Sequence, residues 1–344
     1  MIPLVLAMMA CKADVSPNET APPGDSSGET ADTGPVAVVD EDGDGFPAWW
    51  TNLDSTLADC DDADPAVTPD TERYVPEGTF WRGGGENADT LPMREITLSP
   101  FCIDRLEVTN RQLVQLLEDR AARGYNNLTD DGQTIYDFDD IDDHVPARIQ
   151  RAEDGSYGVL EGYEDHPVVE VYFWSAQTYC ADNGKALPTE AQWEKAARGA
   201  ADQRRFPWGD DLPDCTRADI RPTWEGEGAN SVEPCVNDTV PVGSYPDGAS
   251  PYGALDMAGN VAEWVADWYQ PHYYETSSDL DPDGPDQGWD GYPADQPSFA
   301  RVSRGGNFAT GYAAIQVHTR YVEPDWASSN GLGFRCARPL TPPR

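Results

Sequence analysis

Long apolar runs of helical or strand period are scarce in this chain, while glycine (31 residues) and proline (30 residues) punctuate it from end to end. Each is a turn former or a helix stop, so a bundle of long helices is excluded. The 11 tryptophans and 15 tyrosines supply large apolar area on short side chains, which predicts a loop-rich fold held by aromatic packing. The length of 344 residues accommodates one large domain with appendages, or two ordinary domains. A formal charge of −39 excludes nucleic acid as a partner, because phosphate binding needs a basic face. It suits solubility, divalent cations or high salt without choosing among them.

The first residues read Met-Ile-Pro-Leu-Val-Leu-Ala-Met-Met-Ala-Cys-Lys. This apolar run is too short to span a bilayer and ends in a small residue before Cys11. It resembles the end of a bacterial lipoprotein signal, with Cys11 as the lipidated residue; the alternative is a frayed terminus with an ordinary thiol. Lys12 in the next position fits outer-membrane sorting. The expected location is the bacterial cell envelope, in the outer membrane facing periplasm or exterior, with membrane contact by the lipid anchor only. Residues 12–38, rich in Ser, Thr, Pro, Gly, Asp and Glu, have almost nothing to bury and read as a disordered linker.

Residues 39–71 form an acidic motif. Asp40, Asp42 and Asp44 alternate, Gly43 and Gly45 permit sharp turns, and Asp-Cys-Asp-Asp-Ala-Asp-Pro follows from Asp59 to Pro65. Short loops surround a hard cation with oxygens in this way. The twelfth position, where an EF-hand supplies a bidentate acid, is Thr51. Further oxygens must come from Asp59, Asp61, Asp62 or Asp64. The pattern resembles small calcium-type modules of bacterial surface proteins; the alternative is a solvated acidic linker.

The large domain, residues 72–340, starts with two strand patterns, Tyr74–Phe80 and Ile96–Asp104. Thr109 or Asn110 caps a helix with Leu113, Leu116 and Leu117 on one face. Residues 124–165 are acidic and irregular and read as a surface insertion. Ser175 is the expected cap of a second helix ended by Gly184, and Thr189 with Gln192 forms a capping box for a third ended by Gly199.

Seven blocks in order, Tyr74–Gly78, Glu107–Asn110, Leu187–Gly199, Phe206–Gly209, Asp256–Trp264, Arg304–Phe308 and Gly333–Arg338, resemble the formylglycine-generating-enzyme family, also called the sulfatase-modifying-factor domain. The resemblance implies an α+β fold with a C-type-lectin-like core and little regular secondary structure. It implies a calcium site at Asp256, Gly259, Val261 and Glu263, where alternating carbonyls and a terminal carboxylate suit the ion. The alternative for Glu263 is a charge on an exposed helix beside a buried Trp264. A second implied calcium site begins at Asp219 and Ile220. The resemblance also pairs Cys180 with Cys336. Cys215 and Cys235 flank one loop that a disulfide can close, and Cys60 with Cys102 is left by elimination.

Members of the family that make formylglycine hold copper on two thiolates, at positions matching Thr310 and Ile315. Neither a hydroxyl nor a sec-butyl group holds Cu(I), so no copper chemistry of that kind is expected. The related sulfoxide synthases hold iron on histidines of an added N-terminal domain; His144, His166, His272 and His318 have no such spacing, so iron is not expected either. The expectation is a calcium-stabilised module binding a peptide or extended ligand in a groove of Trp208, Trp264, Arg304, Asn307 and Phe308. Core packing is the competing role for the tryptophans. An oxidoreductase of the same family acting on a secreted protein or metabolite, and a structural envelope module, are the alternatives.

Overall fold

The computed structural model describes residues 39–50, 57–138, 147–200, 202–223, 232–289, 291 and 300–340. Cys11, the linker to residue 38 and part of the acidic stretch after Asp137 lie outside them. The described residues all belong to one compact unit, Ala37–Arg344.

Strand β1 (Glu72–Val75) and β2 (Gly78–Arg82) come first, followed by β3 (Arg94–Leu98) and β4 (Phe101–Asp104). Pro100 separates the last two, so the single strand expected over 96–104 divides. Strands β2 and β3 form an antiparallel hairpin, while β4 lies between β1 and β11 (Ala337–Pro339) in an antiparallel sheet. A four-stranded sheet has the order β10 (Leu332–Phe334), β7 (Ala262–Trp268), β8 (Ala300–Arg304), β9 (Tyr321–Pro324), with β10 parallel to β7. The C-terminus thus supplies strands to both sheets.

Helix α1 (Asn110–Ala122) begins at Thr109, whose hydroxyl accepts from the Gln112 amide while Gln112 returns a bond to the Thr109 amide. Helix α3 (Glu190–Arg198) has the same capping box at Thr189 and Gln192 and stops at Gly199. Helix α2 (Phe173–Asp182) starts three residues ahead of expectation. The Phe173 amide is bonded to the Asp325 carbonyl, so Tyr172 becomes the cap and Ser175 is buried inside the first turn.

Two apolar clusters fill the interior. One packs Leu113, Leu116 and Leu117 of α1 against α2, Trp264 and Phe334; the other packs Phe80, Ile96 and Phe101 against α3, Val265 and Val302. The segment 124–165 is not a surface insertion throughout. Ile135, Tyr136 and Ile149 are fully buried, and β5 (Ile149–Arg151) pairs with β6 (Tyr157–Val159). Interrupted by acidic and other polar residues, its apolar residues show no regular period, yet they cover α1. The architecture is mixed helix and sheet, low in helix and rich in loops.

The acidic segment packs on this core. Trp49 stacks on Tyr74 with centroids 5.6 Å apart, and Cys60 is bonded to Cys102 of β4. Cys180–Cys336 and Cys215–Cys235 complete the three expected disulfides.

Candidate functional site

The turn after β8 brings the two copper-type positions together. Gly306 has φ +65°, and a Cβ there would meet Thr310 Oγ1 at 2.7 Å and Ile315 Cγ2 at 2.9 Å. Only glycine leaves room for both side chains to converge. The Thr310 hydroxyl accepts from the Asn307 amide (2.9 Å) and donates to the Asn307 carbonyl (2.8 Å). Ile315 is fully buried with Phe206, Ala218, Ile220 and Ala258, and Trp208 and Tyr312 pack on that cluster. One position is therefore spent on holding the turn and the other on apolar packing.

Of the expected groove residues, Trp208 and Asn307 are half-buried and Phe308 is buried but for an edge. Trp208 stacks on Phe206 at 5.4 Å, and its indole donates to the Asp211 carbonyl. The other two do not line a groove. Trp264 is fully buried in β7 and donates to the Val171 carbonyl (3.0 Å). Arg304 is fully buried and donates to Glu190 Oε1 (3.1 Å), Glu194 Oε2 (2.7 Å) and the carbonyls of Val317 and His318. A guanidinium inside the protein needs counter-charge, and α3 presents it on successive turns.

The carboxylates around Arg304 are heavily engaged. Glu190 also receives Arg320, at 2.6 and 3.0 Å, and Glu194 receives the Gly83 amide, Arg198 and the Tyr274 hydroxyl. Burial would raise the Glu194 carboxyl, but Arg304 and Arg198 hold it below its ordinary value. His318 lies beside this network, and burial pushes its imidazole down to about 4. Sequence reasoning missed these glutamates; their spacing of four on a helix with a capping box was the available signal.

The first implied calcium set is only partly available. The Asp256 carboxylate accepts from the Gly243 amide (2.6 Å), and burial raises it to about 6. Glu263 is neither free nor on an exposed helix. It is fully buried in β7, takes Arg335 at 2.7 Å on each oxygen, and also receives the Trp193 indole at 2.8 Å. The reason is again a buried guanidinium, here one that the parallel strand β10 delivers beside β7. Glu107, absent from the expected set, completes a group of three buried carboxylates. It accepts from the Asn260 side chain (2.6 Å) and the Val261 amide (3.3 Å), and burial, then Asp256 and Glu263, hold it well above the carboxylate range.

The second set tells a different story. Asp219 is fully buried and neither carboxylate oxygen makes a hydrogen bond of normal geometry, the Val236 amide being the polar group that lies near. Burial, with Asp238 and Asp256 nearby, raises it to about 7. A Cβ on Gly259 would meet the Asp219 carbonyl at 2.3 Å and the Ile220 side chain at 2.7 Å, so the two expected sets abut. The Asp219 carbonyl accepts from the Asn260 amide and the Ile220 carbonyl from the Cys235 amide. A bare buried carboxylate is the donor a hard cation requires.

In the acidic loop, carboxylate oxygens of Asp40, Asp42 and Asp62 converge within 4.8 Å, as do those of Asp42, Asp44 and Asp59. Asp61 is not among them. It pairs with Arg338 of β11 at 2.5 Å, which turns it toward the sheet and leaves Asp62 facing the loop centre. Burial and the neighbouring Asp44, Asp42 and Asp62 push Asp59 up to about 7.

The chain resembles known proteins over most of its length. Residues 60–340 match the model of the sulfatase-modifying factor enzyme 1-like domain. The formylglycine-generating enzyme of Thermomonospora curvata is 34% identical over 297 residues, covering 76% of this chain and 91% of that protein. The inactive C-alpha-formylglycine-generating enzyme 2 of Bos taurus is 31% identical over 271 residues, covering 72% of this chain and 79% of that protein. Among solved structures, PvdO from Pseudomonas aeruginosa aligns with a TM-score of 0.55 at 25% identity, over 78% of this chain and 94% of that one. The chain belongs to the sulfatase-modifying factor family.

Proposed function

We propose that this chain is a calcium-stabilised binding module of the bacterial cell envelope, tethered by lipid on Cys11, in which the family fold no longer carries copper-thiolate oxidation. The observation that carries this reading is the convergence of Thr310 and Ile315 on Gly306, where the chemistry of the family would need two thiolates. The six cysteines among the described residues are all paired as disulfides and supply no substitute. The likeness to a relative named as inactive supports it. The ligand is a peptide or other extended molecule, and Trp208, Asn307 and Phe308, with Tyr312 beside them, form the surface nearest the altered turn. Calcium is held at Asp219 and in the acidic loop, where buried carboxylate oxygens lack partners.

An enzymatic reading is favoured by the identity to a formylglycine-generating enzyme. Elemental analysis of the purified chain, combined with oxygen uptake on cysteine-containing peptides, separates the two. Calcium without stoichiometric copper or iron, and no oxygen uptake, is the expected result. Stoichiometric copper or iron with peptide-dependent oxygen uptake overturns the binding reading.

A further inference from the structure

The acidic loop repeats one construction four times. Asp42 Oδ1 accepts from the Asp44 amide (3.1 Å), Asp44 Oδ1 from the Phe46 amide (2.8 Å), Asp59 Oδ1 from the Asp61 amide (2.9 Å) and Asp62 Oδ1 from the Glu41 amide (2.9 Å). In each residue the other oxygen, Oδ2, is closed off from solvent and has no hydrogen-bond partner. The backbone thus fixes the carboxylate by one oxygen and leaves the second bare. Asp59 and Asp62 are 0% and 3% exposed, so water cannot replace the missing partner from outside.

These oxygens do not converge on one point. They fall into two sets, Asp40 with Asp42 and Asp62, and Asp42 with Asp44 and Asp59. Each set contains its own bare oxygen on an almost fully buried side chain, Asp62 in one and Asp59 in the other, and Asp42 is common to both. Asp40 is the outermost member, its oxygens accepting from the Gly43 (2.8 Å) and Gly45 (3.3 Å) amides.

Charge points the same way. The five carboxylates bring a formal charge of −5 into one loop. The neighbouring cation, Arg338, is turned to Asp61 and Glu72 instead. One divalent ion would leave −3, and two leave −1. Oxygen-only ligands select hard cations of the calcium class. We propose that the acidic loop takes two divalent cations bridged by Asp42, which deepens the calcium reading above and rests on it. Filled, the pair fastens a loop that the Cys60–Cys102 bond, the Trp49–Tyr74 stack and the Asp61–Arg338 pair already rivet to β4, β1 and β11.

The test counts calcium ions bound per full chain by native mass spectrometry and equilibrium dialysis. Asp42→Asn is expected to lose two equivalents, and Asp59→Asn and Asp62→Asn one each. The Asp59→Asn/Asp62→Asn double variant is expected to lose two, which keeps the count decisive if Asp42→Asn fails to fold. Folding is checked by the intact Cys60–Cys102 bond in peptide mass mapping. Loss of the same single equivalent in every variant overturns the bridged pair while leaving calcium in the loop. No loss in any of them overturns cation binding by the loop. Calcium at the domain site is read separately, from the equivalent lost in Asp219→Asn.

Discussion

The carboxylates of Glu190, Glu194 and Glu263 and those of Asp219, Asp59 and Asp62 are all buried, yet the protein treats them in opposite ways. Glu190, Glu194 and Glu263 are each met by a guanidinium, and every such pair is almost fully buried on both sides. Asp219, Asp59 and Asp62 face no guanidinium and keep bare oxygens. The first group is finished as folded. The second keeps carboxylate oxygens without a partner, which on the proposed reading a cation would satisfy. Burial alone therefore does not distinguish the two groups; what differs is the charge that packing sets against each carboxylate.

The largest effect expected from this contrast is at Arg304. Replacing it by Met leaves Glu190 and Glu194 short of a cation and lowers stability by about 3–5 kcal/mol, read from the denaturant midpoint. Calcium should not restore it. Rescue by calcium would show that the paired and unpaired groups are interchangeable.

His318 sharpens the paired side. Its charged form is disfavoured chiefly by burial, opposed by Glu194 and helped by Arg198 and Arg304, with a last opposing pull from Asp89. With a folded value near 4 and an ordinary value of 6.5, the native state binds fewer protons than the unfolded chain in that interval. Stability from this group is complete above pH 6.5 and is lost as pH falls toward 4, by about 3 kcal/mol at most. Carboxyls that burial raises, such as Asp256, act with the opposite sign, so the wild type is compared with His318→Gln across the same interval. The difference between the two stability curves should be constant above pH 6.5 and shift against the wild type below it; a difference independent of pH would refute the assignment.

The smallest effect, and the one that most directly tests the contrast, reverses sign. In chelator, Asp219→Asn should be more stable than the wild type by about 1–2 kcal/mol, because a bare buried charge is removed. In saturating calcium it should be less stable, because the stabilisation by linkage is lost. Melting temperatures with and without calcium decide it. The same sign in both conditions would mean that Asp219 holds no cation.

Much of this was legible beforehand. The seven blocks carried the family, and the capping boxes of α1 and α3 are local patterns that fold as written. The Cys60–Cys102 bond followed from what the other cysteines left over. The misread positions share a feature: their partners are remote in the chain. Ile135, Tyr136 and Ile149 look like short apolar islands in a polar stretch until α1 is laid against them. Asp61 and Asp62 are adjacent and chemically identical, and only Arg338, 277 residues beyond Asp61, separates their roles.

By itself, then, the sequence determined the family, the capping boxes of α1 and α3, the cysteine content and the presence of Thr310 and Ile315 after the Arg-Gly-Gly turn, since these depend on residue identity and short spacing. Which carboxylates are paired and which are bare was decided by tertiary structure. Glu263 is a calcium-type residue in its motif, but β10 lies parallel to β7 and sets Arg335, 72 residues away, onto both its oxygens. A charge inside a protein takes its meaning from the group that packing sets against it.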